Sequence, residues 1–114
     1  MTNASSYKVN LTPNAISNIQ SIVEFYIEYP QAARDFLADF DDKVKMISDN
    51  PYMYPIPSNL PNFSALEYRK AIVYKHHAIL YVVDDETRTI HIVYAVDTRQ
   101  NNWLADPLPI KLIK

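Results

Sequence analysis

The residues best suited to chemistry gather in one stretch. Tyr68 to His77 holds Arg69, Lys70, Lys75, His76 and His77 and no acid, with His91 and Arg99 further on. An arginine's planar fork grips a phosphate at two oxygens. A histidine gives or takes a proton near neutral pH. Tyr68, Tyr74, Tyr81 and Tyr94 could stack on bases. A local anion site is the sharpest chemistry on offer, and His77, Arg69 and Arg99 are its leading candidates.

Each candidate also has a plainer reading. Arg69 and Lys70 point to opposite faces of one strand, and a solvated strand lysine is the commoner outcome for Lys70. His76 and His77 sit at an expected hairpin, where a histidine usually faces water. His91 has no second ligand near it in sequence, so a metal role is disfavoured. Tyr26, Tyr74, Tyr81 and Tyr94 fall on apolar periods and read better as core than as a base-stacking platform. Arg99 is as well placed to pair with Asp97, or with a partner's carboxylate, as to touch nucleic acid. Asp39, Asp41 and Asp42 read as the wet side of a helix. Asp84-Asp85-Glu86 reads as a turn, since it lacks the flanking ligands of a calcium loop.

Composition narrows the field. With 114 residues the chain is one domain's worth, and 48% hydrophobic with 21% charged residues is ordinary for a water-soluble globule. No cysteine is present, which excludes disulfides, thiolate metal sites and cysteine nucleophiles. No glycine is present either. That removes the P-loop, the dinucleotide-binding turn, the nucleophile elbow and the EF-hand loop, which all need glycine's backbone freedom. No apolar run approaches the roughly 20 residues of a membrane span. Met1 to Ser6 is short and polar, without a signal-peptide pattern, so a flexible N-terminal tail over residues 1–6 and a cytoplasmic location are expected. Net charge is −2, split as −3 over residues 1–66 and +1 over 67–114, so the chain as a whole is no basic nucleic-acid binder.

The elements that must position these residues follow from period and punctuation. Tyr7–Leu11 alternates as a strand does. Thr12-Pro13 opens a helix, with Ile16, Ile19, Ile22, Val23, Tyr26 and Ile27 as one apolar stripe to about Tyr29. Pro30 breaks it and opens a second helix whose stripe is Ala33, Phe36, Leu37, Phe40, Val44 and Ile47, ended by Pro51. A proline-rich connector spans 50–63. Tyr68–Tyr74, His77–Val83 and Thr89–Val96 read as strands joined by short turns at 75–76 and 85–88. The order β-α-α-β-β-β gives an α+β fold, a helical hairpin packed on a small, mainly antiparallel four-stranded sheet, in a single domain over residues 7–100. The tail 101–114 is apolar at Trp103, Ile110 and Ile113 but has no clear period.

In order and spacing, several segments resemble the RelE/ParE superfamily of toxins from type II toxin–antitoxin modules. They are L-T-P-N-A at 11–15, Q-A-A-R-D-F at 31–36, N-P-Y-M-Y-P at 50–55, Y-R-K at 68–70, I-L-Y-V-V-D-D-E at 79–86 and R-Q-N at 99–101. The resemblance covers about residues 7–103. It implies a growth-inhibiting toxin neutralised by a cognate antitoxin, which alone touches operator DNA, with no membrane, metal or cofactor involved. It also implies one of two targets. RelE-like members are ribonucleases that cut mRNA in the translating ribosome, using basic and aromatic groups on the sheet's concave face. ParE-like members poison DNA gyrase.

Metal-free RNA cleavage needs a base, an acid and a cation for the phosphorane charge. The catalytic candidates in that case are Arg69, His77 and Arg99. Two departures from the ribonuclease pattern stand out. Ala78 occupies the position of a strand-three arginine, and Asp97 stands where a cation is often found. They favour gyrase poisoning over RNA cleavage, with a catalytically decayed member that only binds its antitoxin as a further alternative.

Overall fold

A computed structural model of the chain describes residues 6–57 and 67–98. The elements run β1 (Lys8–Leu11), α1 (Pro13–Phe25), α2 (Pro30–Asp49), β2 (Arg69–Val73), β3 (His77–Asp84) and β4 (Thr89–Asp97). They form one four-stranded sheet in the order β1-β4-β3-β2, with the hairpins β2–β3 and β3–β4 antiparallel and β1 parallel to β4. The α+β architecture expected from the sequence is the one found. Arg99, the tail 101–114 and residues 58–63 of the proline-rich connector lie outside the described residues.

The helical hairpin packs on one sheet face. Ala15 of α1 and Phe36 and Ile47 of α2 are buried against Ala71, Val73, Ile79, Tyr81, Ile90 and Ile92, with Ile19, Ile22, Phe40 and Val44 at the margin. Three stripe residues depart from the expectation and are exposed: Ile16, Leu37 and Ile27. Helix α1 also ends at Phe25, four residues before Tyr29. The residue before a proline is pushed out of the helical region, and Pro30 starts the next helix, so 26–29 must turn. That turn leaves Ile27 in water.

The start of α1 is pinned to an irregularity in β4. Leu80 pairs with Tyr94 and Tyr81 with Ile92, so Val93 is an extra residue in β4, a β-bulge. A bulge leaves backbone groups without ladder partners, and α1 supplies them. The Thr12 hydroxyl donates to Ile92 O at 3.1 Å and Val93 O at 3.2 Å while accepting from Ala15 N–H as the helix N-cap. Asn14 Nδ2 donates to Val93 O, and Asn18 Oδ1 accepts from Ala95 N–H at 3.1 Å. The bulge turns both Val93 and Tyr94 away from the helices, where they form a second buried cluster with Tyr68 and Leu80.

A chain without glycine must make its tight turns from other residues. Tyr74 (φ 42°) and Lys75 (φ 64°) take left-handed conformations in the β2–β3 turn, and Arg88 (φ 52°) does so before β4. Each costs roughly 1–2 kcal/mol against an ordinary backbone. Local bonds offset that cost. Asp39 Oδ2 accepts from Tyr74 N–H at 2.7 Å, Arg88 O accepts from Lys8 N–H at 2.9 Å, and the Arg88 guanidinium lies 4.4 Å from the Tyr7 ring centroid.

Candidate functional site

His77 is the first residue of β3 and is only 3% exposed. Its neighbours across the ladder are Val73 and Asp97. Strand alternation turns its side chain towards the helices. There the Tyr26 hydroxyl lies 2.9 Å from Nε2, and the rings of Phe36 and Tyr26 meet it edge-on at 5.1 Å and 5.8 Å. The expectation of a water-facing turn histidine is thereby corrected. The turn occupies Tyr74–His76, and His77 falls one residue beyond it, inside the core.

Arg69 also faces the helices, since its ladder partner is Tyr81. Its guanidinium lies 4.9 Å from the Tyr52 ring centroid, and Nη1 donates to Tyr54 O at 2.7 Å. Arg69 thus holds the chain leaving α2 against the sheet. Four residues of β2 separate Arg69 from the position opposite His77, or roughly 13 Å of strand. The two are therefore not brought together, and Arg99 lies outside the described residues.

The sheet face turned away from the helices carries Lys70 and Ile72 of β2, Ala78, Leu80 and Val82 of β3, and His91, Val93, Tyr94 and Val96 of β4. Its centre is apolar, and Ala78 is fully buried. Lys70 stands at its β2 edge, and His91 lies towards β1 with Nδ1 3.0 Å from Asn10 Nδ2. Tyr68 and Tyr94 meet with ring centroids 6.4 Å apart. Among the described residues, neither buried hydroxyl has a hydrogen-bond partner. Burial pushes both phenols up, Tyr94 to about 12, so neither exchanges protons near neutral pH.

A further cluster stands where only a turn was expected. Asp85 accepts hydrogen bonds from Tyr7 Oη at 2.6 Å and from Tyr52 Oη. Those bonds, from Tyr52 first and then Tyr7, hold the Asp85 carboxyl below its ordinary value. The same bonds push both phenols up, Tyr52 to about 12. With Arg88 over Tyr7 and Arg69 over Tyr52, the β3–β4 turn ties down the chain before β1 and after α2. Nothing in the local sequence marks this role, because the partners of Asp85 lie 78 and 33 residues away. Among the described residues, no group of three His, Asp or Glu side chains is placed to hold a metal, and no helix is long and apolar enough to cross a membrane.

A helical hairpin packed on one face of a mixed four-stranded sheet matches the structures of RelE/ParE-like toxins. Over 82% of the chain it is similar to the chromosomal ParDE toxin–antitoxin system of P. aeruginosa, with a TM-score of 0.61, 14% identity and 98% of that chain covered. It is also similar to the RelBE2 toxin–antitoxin complex of Mycobacterium tuberculosis, with a TM-score of 0.57, 17% identity and 93% of that chain covered. The archaeal RelE–RelB complex of Pyrococcus horikoshii OT3 gives a TM-score of 0.52 at 14% identity, with 82% of this chain and 96% of that one covered. No curated protein sequence matches. The sequence profile described as "ParE toxin of type II toxin-antitoxin system, parDE" matches residues 9–103, and the chain belongs to that family.

Proposed function

We propose that the protein is the growth-inhibiting toxin of a type II toxin–antitoxin module, that it poisons DNA gyrase in the cytoplasm, and that a cognate antitoxin neutralises it. The observation that carries the choice of target is the engagement of Arg69 and His77. A metal-free ribonuclease needs a cation at the phosphate and an acid or base beside it. Here the Arg69 fork is spent on Tyr52 and the Tyr54 carbonyl, and His77 is buried against Tyr26 and Phe36. The fully buried Ala78, in the place of the strand-three arginine, supports the same choice. The match to the ParE toxin family accords with this choice.

The similar structures from P. aeruginosa, M. tuberculosis and P. horikoshii are toxin–antitoxin systems or complexes, which supports an antitoxin as the partner of this chain. Contact with operator DNA then runs through the antitoxin alone. A gyrase supercoiling assay with purified protein tests the reading. Accumulation of linear DNA, with mRNA on translating ribosomes left intact, is the expected result. Codon-phased mRNA cleavage without any effect on gyrase would refute it.

A further inference from the structure

The joint of the helical hairpin presents three large apolar side chains to water. Phe25 is 67% exposed, Ile27 76% and Tyr29 66%. None is needed by the core, which the hairpin fills with Ala15, Phe36 and Ile47. A joint between antiparallel helices is satisfied by small or polar residues, and scattered single apolar residues need no explanation. Three within five positions form a patch, and exposed patches mark interaction sites. The patch is also held rigidly. Tyr26, in its middle, is bonded to His77 and packs edge-on against Phe25 at 5.2 Å and Tyr74 at 6.1 Å.

Charge selects the occupant. The stretch from Pro13 to Asn50 carries seven acidic against three basic side chains, a net of −4. Glu24 and Glu28 flank the patch and are exposed; Asp35 stands beside the exposed Arg34 early in α2, and Asp41, Asp42 and Asp49 are exposed further along that helix. One of the three cations, Lys43, is already paired with Asp39 at 3.1 Å. Two copies meeting tip to tip would crowd four glutamates into one interface, which like-charge repulsion opposes. A basic surface with an apolar pocket fits instead. Enzymes that handle DNA carry such surfaces, because they must neutralise its phosphates.

We infer that the hairpin tip, Phe25, Ile27 and Tyr29 flanked by Glu24 and Glu28, is the surface through which the toxin docks on a basic face of its target enzyme. The inference rests on the gyrase reading above. Aromatic anchors at the centre of such contacts carry most of the binding energy, while the acidic rim speeds encounter and makes it sensitive to salt.

The test compares three proteins in the gyrase supercoiling assay: wild type, the triple variant Phe25→Ser/Ile27→Ser/Tyr29→Ser, and the charge variant Glu24→Lys/Glu28→Lys. Thermal melts and sedimentation accompany the assay. These side chains are exposed, so both variants should melt as the wild type does. Half-inhibition by the triple variant should need about tenfold more protein or above, as for the loss of a central anchor. The charge variant should also be weaker, and wild-type potency should fall as salt is raised. A folded triple variant as potent as the wild type would overturn this docking surface while leaving the gyrase reading standing. A wild type without effect on gyrase would overturn both. A wild-type dimer that the triple variant loses, at unchanged potency, would assign the patch to a second copy of the chain and overturn the inference.

Discussion

The Tyr26 hydroxyl lies 2.9 Å from His77 Nε2 and joins the end of α1 to the first residue of β3, 51 positions away. The bond ties the end of α1 to the sheet, and packing against Tyr26 and Phe36 removes the histidine from solvent. A buried histidine bonded at Nε2 and enclosed by Phe36 and Tyr26 acts as a core residue.

The first prediction follows from that placement. Tyr26→Phe should lower stability by about 1 kcal/mol, the usual net worth of one hydrogen bond. His77→Ala removes the bond and leaves a cavity, so its cost should be about 2–4 kcal/mol. Urea unfolding reads both. At concentrations where it remains folded, His77→Ala should still inhibit gyrase as the wild type does. Loss of inhibition in the folded variant would restore a direct role for this histidine.

The second prediction concerns pH, and Asp85 carries it. Its folded pKa lies below the unfolded value near 3.8, because Tyr52 and Tyr7 hydrogen-bond the carboxylate. A depressed carboxyl pKa stabilises above the unfolded value, and the benefit disappears as pH falls through the folded one. The partner phenols shift the other way, Tyr52 from 10.0 to about 12. Their contribution is present below about pH 10 and is lost as pH rises towards 12. The cluster therefore works between about pH 4 and pH 10. Asp85→Asn should melt lower than the wild type across that window and converge with it at the acid end. Parallel melting curves at every pH would show that the cluster contributes nothing.

Much of this fold could be read in the chain, and the reasons are local. Pro13 behind Thr12, Pro30 and Pro51 punctuate the helices, and period-two runs after Glu67 mark the strands. The missing parts depend on distant partners. The parallel pairing of β1 with β4 joins residues about 80 positions apart, and no local pattern encodes it. The Asp85 cluster is invisible for the same reason. His77 was misjudged although its strand begins where expected, because strand alternation does not say which face meets the helices and its partner Tyr26 lies 51 positions away. Arg69 was correctly placed at the start of a strand, but alternation alone does not say which face meets the helices.

The third prediction uses the two buried hydroxyls beyond the helices. Tyr68 and Tyr94 lose hydration without gaining a partner among the described residues, which costs about 1–3 kcal/mol for each such group. Phenylalanine keeps the rings and removes the penalty. Tyr94→Phe and Tyr68→Phe should therefore each match or exceed the wild type in stability. Tyr94→Phe should also resist alkali better. The raised phenol, at about 12 against an ordinary 10.0, means that the folded state opposes ionisation, so the wild type weakens as pH rises between those values. Destabilisation of about 1 kcal/mol or more in both variants would reveal a bond to these hydroxyls and defeat the argument.

The last prediction tests whether α1 exists to serve the bulge as much as the core. The Thr12 hydroxyl has three bonds at once, accepting from Ala15 N–H and donating to Ile92 O and Val93 O. Asn18 adds an acceptor for Ala95 N–H two residues past the extra position. Thr12→Val keeps the shape and loses all three bonds, and the cost should be about 2–3 kcal/mol, above the roughly 1 kcal/mol of an N-cap alone. Asn18→Ala strands one buried amide and should cost about 1–2 kcal/mol. Because both act on one bulge, the double variant should cost less than the sum of the two. Hydrogen exchange at Ala95 should quicken in Asn18→Ala and in the double variant, while β2 amides keep their protection. If Thr12→Val costs no more than a lost N-cap and the two substitutions add, the bulge is held by the sheet itself and α1 merely rests on it.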